Sequence, residues 1–133
     1  MMEELEKNKK FYELTQTQIF LKENGAVNPK YNFEFYSQLA QTQLYAEDHH
    51  ASLDSSLKAL SYREEDLPTL SNIANRYRDI GQLEKSLSYY EKALSIDSSD
   101  PFLQSNFKRL NRIVNLKLIS ISSFYESFLF HHT

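Results

Sequence analysis

The 133-residue chain has no cysteine and no tryptophan, two glycines and three prolines. Without cysteine there are no disulfide staples, thiol nucleophiles or thiolate metal sites. That composition fits a reducing compartment. The opening Met1-Met2-Glu3-Glu4-Leu5-Glu6-Lys7 has no basic start followed by an apolar core, so a cytoplasmic protein is expected. So few glycines and prolines cannot supply the tight turns of a many-stranded all-β chain, and long helices are the default. Mean hydropathy is -0.58, no long uninterrupted apolar run occurs and Glu126 breaks the most apolar stretch, so no membrane span is expected. No glycine loop to cradle phosphate, no G-x-S-x-G and no H-E-x-x-H appears. The expectation is a non-enzyme without a cofactor.

What is present is enough apolar material to fold: 41% hydrophobic residues, 14% aromatic. Charge is unevenly placed. Residues 1–100 carry 17 acids against 11 bases, whereas 101–133 carry Lys108, Arg109, Arg112 and Lys117 against the single acid Glu126. A net charge of -3 gives little non-specific attraction to nucleic acid, so the basic cluster reads as solvated or peptide-facing, and no nucleic-acid partner is expected.

The strongest signal is internal repetition. Sliding the chain by 34 residues brings Leu39-Ala40 onto Ile73-Ala74, Ser52-Leu53 onto Ser86-Leu87 and Lys58-Ala59-Leu60-Ser61 onto Lys92-Ala93-Leu94-Ser95. Nine of the 31 positions from 36 to 66 are identical, against roughly two expected from ordinary residue frequencies. A second slide places Ser86-Leu87 on Ser120-Ile121, Tyr90 on Phe124, Leu94 on Phe128 and Ile96 on Phe130. Three units follow: 33–66, 67–100 and 101–133, after an N-terminal segment 1–32.

Each unit reads as two helices. Leu70, Ile73, Ala74 and Tyr77 recur at helical spacing; Gly81 closes that helix; Leu83, Leu87, Tyr90, Ala93, Leu94 and Ile96 form the next stripe. Asp66 before Leu67-Pro68 and Asp100 before Pro101 pair a capping carboxylate with a proline in the first turn. Small residues at Ala74, Ser86 and Ala93, and at Ala40, Ser52 and Ala59, let paired helices approach closely. A hairpin of this kind cannot bury its stripe alone, so neighbouring units must stack.

The pattern resembles the tetratricopeptide repeat, a helix–turn–helix family. The second unit carries its series from Leu70 to Asp97, departing at Ser98 where the family often has proline. The first unit matches at Tyr36, Leu39, Ala40, Ser52, Leu53, Ala59 and Leu60, but its turn, Ala46-Glu47-Asp48-His49-His50, has no glycine. The third is weaker, with Lys108 at a small position and Asn115 at the turn glycine. The resemblance implies an all-α fold, a short right-handed α-solenoid of stacked helix–turn–helix repeats. For 101–133 the repeat alignment favours a hairpin, while the unbroken phase of Leu103, Phe107, Leu110, Val114, Leu118, Ile121, Tyr125 and Phe128 leaves one long helix open. Residues 2–23 read as a helix with Leu5, Tyr12, Thr15 and Ile19 on one side, ended by Gly25; it is either a degenerate unit or a packing helix.

The resemblance also implies a binding concavity lined by the first helix of each unit. Its register gives Ser37, Gln41, Tyr45, Ser71, Asn75, Arg78, Ser105, Arg109 and Arg112, with Asn72 and Asn106 alongside. The expected contacts to a protein or peptide partner, an acidic one being the option the arginines favour, are Ser71, Asn75, Arg78, Asn106, Arg109 and Arg112. Some family members clamp a chaperone's terminal carboxylates with Lys, Asn and Arg. Those places hold Ser37, Gln41, Asn72, Phe102 and Asn106 here, and only Asn72 matches. No metal site is expected; His49 and His50, near Asp54, are the alternative that a metal protein or enzyme would use. The Phe-rich C-terminal segment offers a second alternative, a self-associating assembly subunit, and hence a possible homo-oligomer.

Overall fold

The structure is a computed structural model that describes residues 2–132, with side chains described through 130. Among the described residues there are six α-helices and no strand: α1 (Met2–Glu23), α2 (Asn32–Tyr45), α3 (His49–Tyr62), α4 (Leu67–Asp79), α5 (Leu83–Ile96) and α6 (Pro101–His132). A 3-10 turn at Pro29–Tyr31 leads into α2. The helices pack in chain order, each against the next, as expected of a helical-hairpin solenoid.

Local chemistry sets the boundaries. Asp66 accepts from the Thr69 backbone N–H at 3.2 Å, and Asp100 accepts from those of Phe102 and Leu103 at 2.9 and 3.1 Å. Both carboxylates satisfy helix-end donors that have no partner inside the helix. Gly81 ends α4 at φ 83°, the left-handed region. The first hairpin reaches the same geometry without glycine: Glu47, the counterpart of Gly81, sits at φ 61°, and Asp48 then caps α3 by accepting from Ala51 N–H at 3.1 Å.

The core runs through the two hairpins. Leu53, Leu60, Leu70, Ile73, Ala74, Tyr90 and Ala93 are buried together, joined by Leu103 and Leu110 from α6. At each crossing a serine replaces bulk. Ser52 Oγ donates to the Ala40 carbonyl at 2.7 Å, and Ser86 Oγ to the Ala74 carbonyl at 2.6 Å.

Two expectations change at the ends of the chain, and a third concerns the apolar content of α6. In α1, Thr15 and Ile19 pack inward but Leu5 and Tyr12 are exposed. The packed line is instead Asn8, Phe11, Thr15, Gln18 and Lys22, a mainly polar seam that apolar spacing cannot reveal. Phe11 meets Tyr45 at 5.2 Å between ring centroids, Lys22 bonds Asn32, and Asn8 donates to Glu47 at 3.2 Å.

The hairpin favoured for 101–133 is replaced by the continuous α6. The reason is local. Position 115 is asparagine where the second unit has Gly81, and Leu116 stands where Asp48 caps α3, so this segment lacks both the glycine stop of the second hairpin and the carboxylate cap of the first. Against the expectation of no membrane span, α6 is long and apolar enough to cross one by length and composition, with a mean hydropathy of 1.2 over its most apolar window. Serines at 120, 122, 123 and 127 interrupt the apolar run but are too mild to lower that average far.

Candidate functional site

The first helices of the units, α2, α4 and the opening half of α6, carry the predicted binding residues. The best-organised group surrounds the Tyr90 hydroxyl. The ring of Tyr90 is fully buried beneath α4, and its hydroxyl reaches two of the predicted residues. It donates to Asn75 Oδ1 and accepts from Arg78 Nη1 at 3.3 Å. With its oxygen occupied, Asn75 keeps both amide hydrogens for an outside acceptor.

Burial pushes the Tyr90 phenol above its ordinary range, and Asp79 pushes the same way. Arg78 is the strongest influence in the opposite direction, followed by Arg76 and Arg109. Arg109, from α6, thus acts on the same hydroxyl only through its charge, while Asn75 and Arg78 bond it directly. Ser71 does not join them: its hydroxyl donates back to the Leu67 carbonyl of its own helix at 3.0 Å. Arg112 lines a shallow surface groove with Lys108, Asn111 and Asn115. Asn106 is partly buried.

A second feature lies where α2, α3 and α4 meet. Ser37 and Gln41 from α2 and Asn72 and Arg76 from α4 line a cleft of about 40 Å³, enough for a water molecule or two. The repeat register anticipated the first three. Arg76 was missed, since its position is not an inward one in that register. Its Nε lies 3.0 Å from Asp79 Oδ2, near enough for charge attraction, yet it makes no aligned hydrogen bond, and Ser37 Oγ is likewise buried without one.

The remaining polar clusters are spoken for. Asp79 lies 3.5 Å from His49 Nδ1 as well, so His49 turns toward α4. Asp48 is the α3 cap and Glu47 meets Asn8. Among the described residues no three histidine or acidic side chains gather as metal ligands. A wider groove of about 300 Å³ opens between α1, α2 and α3, where Lys22 and Lys58 both lie over the Tyr36 ring, at 5.9 and 5.5 Å from its centre. Aromatic residues interleaved with lysines across two units left no periodic trace by which to find it.

Comparison with known proteins places this geometry. Residues 67–100 match the family model described as tetratricopeptide repeat. No curated protein matches the chain by sequence. Among solved structures, the chain is similar to the first TPR of Spaghetti (RPAP3) bound to the HSP90 peptide SRMEEVD. The TM-score is 0.64 at 13% identity, over 83% of this chain and 91% of that one. The NMR structure of the first TPR domain of human RPAP3 gives 0.64 at 14% identity, over 86% and 92%. The UNC-45 chaperone, described for its binding and folding of muscle myosin, gives 0.64 at 18% identity, over 89% of this chain but 14% of that protein. At these identities the likeness is one of fold.

Proposed function

With a tetratricopeptide repeat at residues 67–100, in a chain that has the fold of such domains, we propose that this protein is a non-catalytic interaction scaffold. It takes an extended peptide or a partner helix along α2, α4 and the first half of α6. The observation that carries the reading is the Tyr90 hydroxyl, which braces Asn75 and Arg78 together in advance of any ligand. Side chains held this way lose little freedom when a partner arrives. Asn75 serves a peptide backbone, and Arg78 with Arg109 holds an acidic group.

The peptide bound by the Spaghetti domain is itself acidic, SRMEEVD. Here the carboxylate-clamping places hold Ser37, Gln41, Phe102 and Asn106, with Asn72 alone in common, so the preferred acidic sequence is a different one. We place the scaffold in the cytoplasm on its cysteine-free composition.

An array of acidic and neutral peptides, followed by fluorescence anisotropy, tests the proposal. Acidic peptides bind, and Arg78→Ala or Arg109→Ala each weakens them about tenfold. Unchanged partners and affinities with both arginines removed would overturn it.

A further inference from the structure

Every side chain from Asn115 to Phe130 is exposed, whereas Leu103, Leu110 and Val114 of the same helix are buried. The second half of α6 therefore projects beyond the solenoid. Nine of the 16 residues from 115 to 130 are Leu, Ile, Phe or Tyr. The most apolar window of α6 is only 6% buried, so this is not the core helix of a fold surrounded by water.

The apolar side chains are not confined to one stripe. With about 3.6 residues per turn, Leu118, Ile121 and Tyr125 continue the side on which Leu110 packs against the solenoid, while Leu116, Ile119 and Phe130 lie on the opposite side. A protein groove covers one side of a helix; hydrocarbon surrounds all of it. The helix backbone satisfies its own hydrogen bonds. The hydroxyls of Ser120, Ser122, Ser123 and Ser127 can turn back to a carbonyl one turn earlier, as Ser71 does to Leu67. Glu126 is the one charged residue from 118 to 130, and the one that opposes burial in lipid.

Charge selects the kind of surface. Lys108, Arg109, Arg112 and Lys117 are all exposed, in the turns that lead into the apolar segment. Residues 1–100 are acidic by contrast, with 17 acids against 11 bases. A basic collar at the foot of an apolar helix attracts anionic headgroups, and an acidic solenoid is held off the same surface.

We propose that the second half of α6 anchors this protein in an anionic phospholipid bilayer. It enters tip first, because a membrane laid along the side of Leu118, Ile121 and Tyr125 would collide with α5, which packs on that side of the first half. Residues 118–130 then reach about 20 Å below Lys117, past the middle of a hydrocarbon core about 30 Å thick. Lys117 and Arg112 stand at headgroup level. The inference stands apart from the peptide-binding reading, since it leaves Asn75 and Arg78 on α4 in water.

Vesicle flotation of the full chain tests this, comparing phosphatidylcholine alone with a mixture containing about one-third phosphatidylglycerol. The chain floats with the mixed vesicles and far less with phosphatidylcholine alone, and added salt weakens the attachment. Lys108→Ala combined with Lys117→Ala lowers the affinity for mixed vesicles about tenfold. Ile121→Ser combined with Phe124→Ser lowers it more than about tenfold, with helix content and acidic-peptide binding unchanged. Glu126→Gln strengthens it. The chain has no tryptophan, so Phe124→Trp and Asn115→Trp each give a single reporter of depth. Lipids brominated in mid-chain quench the reporter at 124 and largely spare the one at 115. A chain that floats with neither vesicle overturns the proposal, and if light scattering then shows it to dimerise, the segment belongs to a second copy. Flotation indifferent to phosphatidylglycerol, or a reporter at 124 no deeper than the one at 115, overturns it as well.

Discussion

The hydroxyl of Ser86 donates to the carbonyl of Ala74 at 2.6 Å, joining α5 to α4 at the point where neither helix has room for a larger side chain. Both residues are fully buried. The Ser52–Ala40 pair repeats the contact at 2.7 Å, so it belongs to the unit and not to one place in the chain. Ser86→Ala is expected to cost about 1 kcal/mol, the net worth of one such bond. Ser86→Leu costs about 1–3 kcal/mol through overpacking. Urea unfolding of the two variants gives the order, with the leucine variant the less stable.

Glu47 and Gly81 occupy one register position with φ of 61° and 83°. A left-handed backbone disfavours a side chain by about 1–2 kcal/mol. Glu47→Gly is therefore expected to raise stability by about 1 kcal/mol, less the small contribution of the exposed bond from Asn8. Gly81→Ala lowers it by a similar amount, although a Cβ there meets no neighbouring atom. Thermal melts of both variants are the check.

Tyr90 makes folding sensitive to alkali. Burial first of all raises its pKa above the ordinary value of 10.0, so the folded state favours the neutral phenol. The stability this contributes is complete below the unfolded pKa and is lost as pH rises through the folded one. Tyr77 is raised too, by burial and then by Tyr89 and Asp54, and adds in the same sense. Between pH 9 and 12 the urea midpoint of the parent protein falls, and that of Tyr90→Phe falls less steeply. Equal slopes would remove Tyr90 from the account.

Arg78 and Arg109 are expected to act on an acidic peptide largely through charge. Their alanine variants then lose more affinity at low salt than at high salt, as screening already weakens the parent complex. Tyr90→Phe, which keeps the ring and frees Asn75 and Arg78, weakens the same peptide about threefold to tenfold without touching it. Titrations at two ionic strengths separate the two effects.

How far the chain could be read in advance depended on what kind of signal each part carried. The two central hairpins were legible because their contacts recur at a fixed spacing: Ala40 with Ser52, Ala74 with Ser86, and the caps at Asp66 and Asp100. The third unit misled for the same reason. Its second half keeps the pattern of a packed helix, while the break that would let it fold back is absent at Asn115-Leu116. In α1 the eye goes to Leu5 and Tyr12, but the seam is built from Asn8, Thr15 and Lys22, whose polarity hides them. At the site, the ring of Tyr90 was recognisable as core. That its hydroxyl would bind Asn75 and Arg78 together depended on the crossing of two helices, which no linear spacing encodes.

The seam beneath α1 has a further consequence. Only Thr15 of that helix is fully buried, and the rest of its attachment is the partly buried Ile19, a ring pair and a few polar contacts. Its amide protons should trade with deuterium long before those of α3 and α4, so that opening begins as the peeling of one helix from an otherwise intact array. Any protease, or any binder seeking the surface of α2 underneath, meets a door that is closed only lightly.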